Sequence, residues 1–206
     1  MRLESWVLAL TLFALTSLRP AMAEELSSSH GQLKIEPVVT GLEIPWSFDF
    51  FFFFLILVTE REGKLLHVQG GRARTVRGTP AVAAVGQGGL LDVPVARDFA
   101  TSRAIFLTYS KRQGRGAGTA LAVGRLSDDN TRLTQVRELF EAAPGATGGR
   151  HFGARVVEAR DGSLFVSLGE RGDRPSAQDL RRHQGAIIRI NRDGSVPSDN
   201  PFVNRS

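Results

Sequence analysis

Four histidines, at positions 30, 67, 151 and 183, are the side chains of this sequence that titrate nearest neutrality. They do not fall at metal-ligand spacing with one another, and there is no cysteine to complete a zinc set. His151 stands apart because it lies in Gly148-Gly149-Arg150-His151-Phe152-Gly153-Ala154-Arg155, directly before an apolar run that reads as a strand. Glycines on both sides let the backbone approach a ligand closely, and a neutral imidazole at the mouth of a strand can accept a proton near pH 7. The competing reading is a histidine tied into a turn by hydrogen bonds, and the residue types alone leave both open.

Gln87 occupies a comparable place in Gly86-Gln87-Gly88-Gly89-Leu90-Leu91-Asp92. Its amide can both donate to and accept from a sugar hydroxyl. A phosphate cradle is disfavoured, since the loop has neither the lysine of a P-loop nor a helical pattern after it. Leu168-Gly169-Glu170-Arg171-Gly172-Asp173-Arg174 sets opposed charges at a strand exit, either as a solvated ion-pair cluster or with a guanidinium turned to a ligand. Asn191-Arg192-Asp193-Gly194-Ser195 lacks the spaced acidic ligands of a calcium loop and predicts a hairpin turn.

The elements that must carry these residues are strands. Past the first 23 residues, short β-branched and aromatic runs bounded by Gly, Asp and Asn recur, and helical periodicity is scarce. Strands are predicted over Trp46–Phe50, Leu55–Arg61, Lys64–Gln69, Leu90–Val95, Ala104–Ser110, Ala120–Ser127, Arg155–Ala159, Ser163–Leu168 and Ala186–Asn191. Laying Leu57-Val58-Thr59 over Phe106-Leu107-Thr108 and Phe165-Val166-Ser167 shows three similar units, with Val58, Leu107 and Val166 spaced by 49 and 59 residues. Repeats of that length built from short antiparallel strands suit propeller blades. About three blades fit, whereas propellers close with about 4 to 8. The expectation is therefore an all-β chain that holds only part of the toroid, the C-terminal half being absent.

At the other end, Arg2, the 13-residue apolar run Trp6–Leu18 and Ala21-Met22-Ala23 predict an export signal over residues 1–23, cleaved before Glu24. The run is short for a membrane span, so no stable membrane insertion is expected and the mature protein is placed in the periplasm or outside the cell. With no cysteine, an exported fold must rest on its apolar core. The net charge of +5 comes from arginines scattered among acids, with a single tyrosine, which argues against a nucleic-acid surface. A solvated basic surface and a basic cleft for a small anion remain the two readings of that charge.

Phe50–Phe54 is anomalous. An offset of 108 residues puts Phe53-Phe54 over Asp161-Gly162, where the third unit has a hairpin turn. Phenylalanine supplies the positive φ angles of such a turn poorly, and five in a row favour aggregation. The run reads as a local sequence error, or else as a loop that enters a membrane.

The ordered set Gly41-Leu42-Glu43-Ile44-Pro45-Trp46-Ser47, Leu57-Val58-Thr59-Glu60-Arg61, Gly86-Gln87-Gly88-Gly89-Leu90-Leu91-Asp92-Val93, His151-Phe152-Gly153-Ala154-Arg155, Leu168-Gly169-Glu170-Arg171-Gly172-Asp173 and Ile188 to Pro197 resembles the glucose/sorbosone dehydrogenase family. Its aldose sugar dehydrogenase branch is the nearer match, and the resemblance runs from about Gly41 to Phe202. It implies a six-bladed β-propeller, of which this chain supplies roughly the first three blades, with pyrroloquinoline quinone (PQQ) over the central channel. It also implies that His151 is the catalytic base, that Gln87 contacts substrate and that Arg171 contacts the cofactor. The reaction implied is oxidation of an aldose at its anomeric carbon to a lactone, with electrons passing to an external acceptor. The Ca2+ ligands and most of the cofactor clamp would lie in later blades, so no metal ligand is expected here and these residues alone are expected to be inactive. Two other readings stay open: a secreted propeller that only binds carbohydrate or protein, and a metal-dependent lactonase.

Overall fold

A computed structural model describes residues 24–52 and 55–203. The predicted export signal, the predicted turn at Phe53-Phe54 and the last three residues lie outside the described residues. Strand β1 (Glu24–Ser28) and strand β2 (Gly31–Ile35) form an antiparallel hairpin that belongs to a unit by itself. Among the described residues no helix is long and apolar enough to cross a membrane.

The second unit, from Val39 onward, holds three antiparallel sheets. Sheet 1 has the order β3 (Pro45–Phe52), β4 (Leu55–Glu60), β5 (Leu65–Gln69) and β6 (Arg72–Val76). Sheet 2 follows with β7 (Ala104–Gln113), β8 (Gly116–Leu126) and β9 (Leu133–Glu141). Sheet 3 consists of β10 (Gly153–Glu158), β11 (Leu164–Leu168) and β12 (Ile187–Ile190). Every sheet is built from sequential neighbours, the up-and-down arrangement that short turns allow.

The predicted strand Leu90–Val95 is corrected. It runs antiparallel along β7 through bridges at Leu90 with Tyr109 and Val95 with Ile105, but makes no continuous ladder. Pro94 has no N–H to give, and the Asp92 N–H goes to the Thr108 hydroxyl at 2.9 Å. The segment nevertheless lines the inner edge of sheet 2, as β3 and β10 line theirs.

Alternation along β7 explains how the sheets stack. Ile105, Leu107 and Tyr109 join Leu57, Leu65, Leu90 and Phe99 in a core between sheets 1 and 2. Phe106 points the other way, into a core with Leu121, Val156, Leu164 and Val166 between sheets 2 and 3. A strand buried on both faces reads as the unbroken apolar run seen here. Each fully buried Leu or Phe contributes about 1.5–3 kcal/mol. The remote face of sheet 3 is different, since Val157 and Ile187 are 62% and 74% exposed. In β3, Phe51 is buried against Phe99 at a 5.3 Å ring separation, while Phe48 and Phe50 are exposed.

Hydroxyls cross these apolar interfaces at one repeated position. Thr59 Oγ1 accepts from Ser47 N–H within sheet 1 and donates to Leu91 O of the next inner edge at 2.5 Å. Thr108 Oγ1 does the same one sheet on, accepting from Asp92 N–H and donating to Ala154 O at 2.7 Å. Ser167, the third residue of the sequence repeat, accepts from Arg155 N–H at 3.0 Å.

His67 on β5 is buried against Phe51, and its burial, followed by the charge of Arg74, lowers its pKa from 6.5. Burial likewise lowers His183, whose ring meets Phe140 edge-on at 5.0 Å. Such a group stabilises the fold fully above its unfolded value of 6.5, and that contribution declines as pH falls toward the folded-state value. The urea midpoint should therefore drop as pH falls below 6.5, and His67→Leu should flatten the dependence. An unchanged slope in that variant would remove His67 from the account.

Candidate functional site

The site is assembled where three loops meet. The chain enters sheet 2 through Gly86–Gly89 and sheet 3 through Gly148–Phe152, and it leaves β11 through Gly169–Gly172. Gln87 N–H donates to Gly149 O, and the Gln87 side-chain Oε1 accepts from His151 N–H, both at 2.8 Å. A methyl group at position 86 would overlap Gly149 O, and one at position 169 would overlap His151 O. Only glycine lets the three backbones approach so closely.

His151 sits at φ 53° and Arg171 at φ 62°, the left-handed region that costs non-glycine residues energy. Strain held by the surrounding hydrogen bonds marks a place where geometry is specified rather than tolerated. With its backbone fixed in this way, the His151 imidazole is half-exposed and its Nδ1 bonds Glu170 Oε1. That oxygen also accepts from Gly172 N–H at 3.2 Å. The hydrogen bond from His151 holds the Glu170 carboxyl below its ordinary value, so it is an anion at neutral pH. In the neutral imidazole, an anionic acceptor at Nδ1 favours the tautomer with its proton there and its lone pair on Nε2. The arrangement can therefore take a proton from a group placed against Nε2.

A family model described as Glucose / Sorbosone dehydrogenase matches residues 42–206. The chain belongs to that family. It is 42% identical over 193 residues to the aldose sugar dehydrogenase YliI of Escherichia coli K12, an alignment covering 90% of this chain and 51% of YliI. The crystal structure of the soluble aldose sugar dehydrogenase of Escherichia coli in its apo form superposes with a TM-score of 0.77 at 45% identity, covering 80% of this chain and 49% of that one. The PQQ-bound aldose sugar dehydrogenase of Streptomyces coelicolor superposes with a TM-score of 0.74 at 25% identity, covering 89% and 53%. This chain of the glucose/sorbosone dehydrogenase family spans about half the length of the relatives it matches. Its three sheets are blades of the all-β propeller expected from the repeat.

Within this family member the three expected site residues take different places. His151 and Gln87 are brought together, but Gln87 uses its amide oxygen to hold the His151 backbone. Arg171 lies beneath the loop. It is 6% exposed, donates through Nη1 to Arg150 O and through Nη2 to Ala117 O at 3.3 Å, and stacks on Phe152 with 3.2 Å from its central carbon to the ring centroid. Burial lowers its pKa to about 10, which still leaves it charged at neutral pH. The exposed guanidinium beside His151 is that of Arg150. Sequence alone does not single out Glu170, which in the charged run reads as a solvated partner of its neighbours. Nothing in its local sequence points 19 residues back to His151.

Among the described residues no group of three or more His, Asp or Glu side chains is arranged to hold a metal ion.

Proposed function

We propose that this chain provides the proton-accepting side of a PQQ-dependent aldose dehydrogenase site. The observation that carries the reading is the His151–Glu170 hydrogen bond, made by a histidine whose backbone is pinned by Gln87. Glu170 keeps the proton on Nδ1, and Nε2 takes the proton of the sugar's anomeric hydroxyl as the C1–H bond breaks. Loss of that proton and of a hydride turns the cyclic aldose into a lactone. A bound pyrroloquinoline quinone supplies the hydride acceptor, and an external acceptor later receives the electrons. A carboxylate-oriented imidazole favours an enzyme over a propeller that merely binds carbohydrate or protein.

The residues present fit the cofactor only in part. Arg171 has committed its terminal nitrogens to Arg150 O and Ala117 O, which leaves Arg150 as the guanidinium turned outward beside His151. We place the remaining partners for the tricarboxylate, and the ligands for Ca2+, in the length of the family that this chain does not span. The apolar N-terminal run and Ala21-Met22-Ala23 support export to the periplasm or medium.

Dye reduction driven by glucose, with PQQ and Ca2+ added, tests the division. The intact protein should turn over, and these 206 residues by themselves should not. Turnover by the 206-residue chain would overturn the assignment of the clamp elsewhere, and none by the intact protein would overturn the function.

A further inference from the structure

Beneath the Arg150–Phe152 loop lies a cavity of about 10 Å³, bounded by Thr119, Ala142, Pro144, Gly169, Arg171 and Gln184 among others. Two buried polar atoms belong to side chains that line it. Arg171 Nε and Gln184 Oε1 have no hydrogen-bond partner among the described residues, and the two residues are 6% and 7% exposed. The first is an obligate donor and the second an acceptor. The orientation of the Gln184 amide is set by its Nε2, which donates to Pro144 O at 3.1 Å. Arg171 cannot turn to another acceptor without giving up Arg150 O, Ala117 O and the Phe152 ring.

Leaving both atoms dry would carry an uncompensated desolvation cost on each. The occupant must accept from a guanidinium and donate to a carbonyl. A cation is excluded by the first contact, an anion is opposed by the second, and the volume admits about one water molecule. We propose that one ordered water fills this cavity, accepting from Arg171 Nε–H and donating to Gln184 Oε1. Thr119 lines the same space and its Oγ1 gives its own proton to Phe152 O at 2.6 Å, which leaves that hydroxyl only acceptor capacity. The water joins the approach to β12 with the guanidinium that holds the carbonyl of Arg150, next to His151. It stands apart from any role of His151 in sugar oxidation, because it rests on packing and hydrogen-bond counting alone.

A crystal structure of the intact protein, at a resolution where other buried waters are seen, should show a density peak within hydrogen-bonding distance of both atoms. A dry cavity, or Arg171 Nε bonded to a protein acceptor, would overturn the proposal. In solution, the Arg171 Nε–H proton should give a cross-relaxation peak to a long-lived water. Gln184→Leu should lose that peak while the wild type keeps it; a peak of equal strength in the variant would refute the bridging role of Gln184. If the variant does not fold, the two wild-type measurements still decide.

Discussion

On the proposed function, replacing His151 by Asn in a chain of the relatives' full length should lower kcat for aldose oxidation by about 10²- to 10⁴-fold, the range over which a positioned general base contributes. Asparagine can still face Glu170 through its amide, so the loop keeps a hydrogen bond, but no atom at that place can accept a proton at neutral pH. The fold should survive, because the imidazole is half-exposed and the backbone is fixed by Gln87 and not by the ring. The decisive comparison is steady-state turnover against quinone binding. Turnover should collapse while binding of the cofactor, measured by absorbance titration, changes little. Wild-type turnover in the variant would end the reading of His151 as base. Glu170→Gln should also be costly, by up to about 10⁴-fold, because its amide NH₂ can donate to Nδ1 and so place the imidazole proton on Nε2, where it blocks proton acceptance.

The largest expected loss of stability lies at Asp92, far in sequence from the residues it joins. Its carboxylate is 4% exposed and accepts from Ser47 Oγ at 2.7 Å, Arg155 Nη1 at 2.6 Å and Val156 N–H at 2.9 Å. One side chain of the Leu90–Val95 segment beside β7 thus binds β3 of sheet 1 and β10 of sheet 3 together. Asp92→Ala should destabilise the protein by about 1–3 kcal/mol, the cost of leaving the buried Ser47 hydroxyl and Val156 N–H without their acceptor, since the 64% exposed Arg155 can turn to water. Asp92→Asn should also be costly. Arg155 and Ser47 both address Oδ1 and Val156 addresses Oδ2, so an amide must turn its NH₂ toward at least one donor. Urea denaturation of both variants measures the effect, and a midpoint shift within error of zero would show that Asp92 does not hold the sheets together.

Strands that bury an apolar run, on both faces as in β4, β5 and β7 or on one face as in β11, are legible from sequence. The β4, β5, β7 and β11 runs combine β-branched and apolar residues over a length that only a strand fits, and the hydroxyl repeat at Thr59, Thr108 and Ser167 marks the unit. The strands that escape are polar or peripheral. The β6 run Arg72-Ala73-Arg74-Thr75-Val76 buries only Val76, and the β1–β2 hairpin is exposed wherever its side chains are described, so neither carries an apolar pattern. The outer strand β9 has a mixed pattern with Thr134 to Glu138 largely exposed.

The candidate site divides in the same way. His151 and Gln87 sit in glycine-rich loops before strands, which is a local signal. Glu170 and Asp92 act through space, on partners 19 to 64 residues away, and no local pattern records such a distance. Arg171 is the converse case. Its neighbours in sequence are charged, but at φ 62° the backbone sends its side chain under the loop and onto the Phe152 ring, while Glu170 goes to His151.

The threonines that reach from one sheet to the next have a consequence for how the stack can move. Greasy faces are nearly indifferent to sliding, since one branched aliphatic fits beside another almost anywhere along a strand. Thr59 and Thr108 act as index pins, each engaging a single carbonyl on its neighbour. A slip by one residue would swing that carbonyl to the opposite side of its strand and leave the pin without a hole. Blades joined in this way can rock about the pins but cannot creep, and the alignment of the loops that carry His151 and Gln87 is thereby inherited from side chains that never meet a ligand.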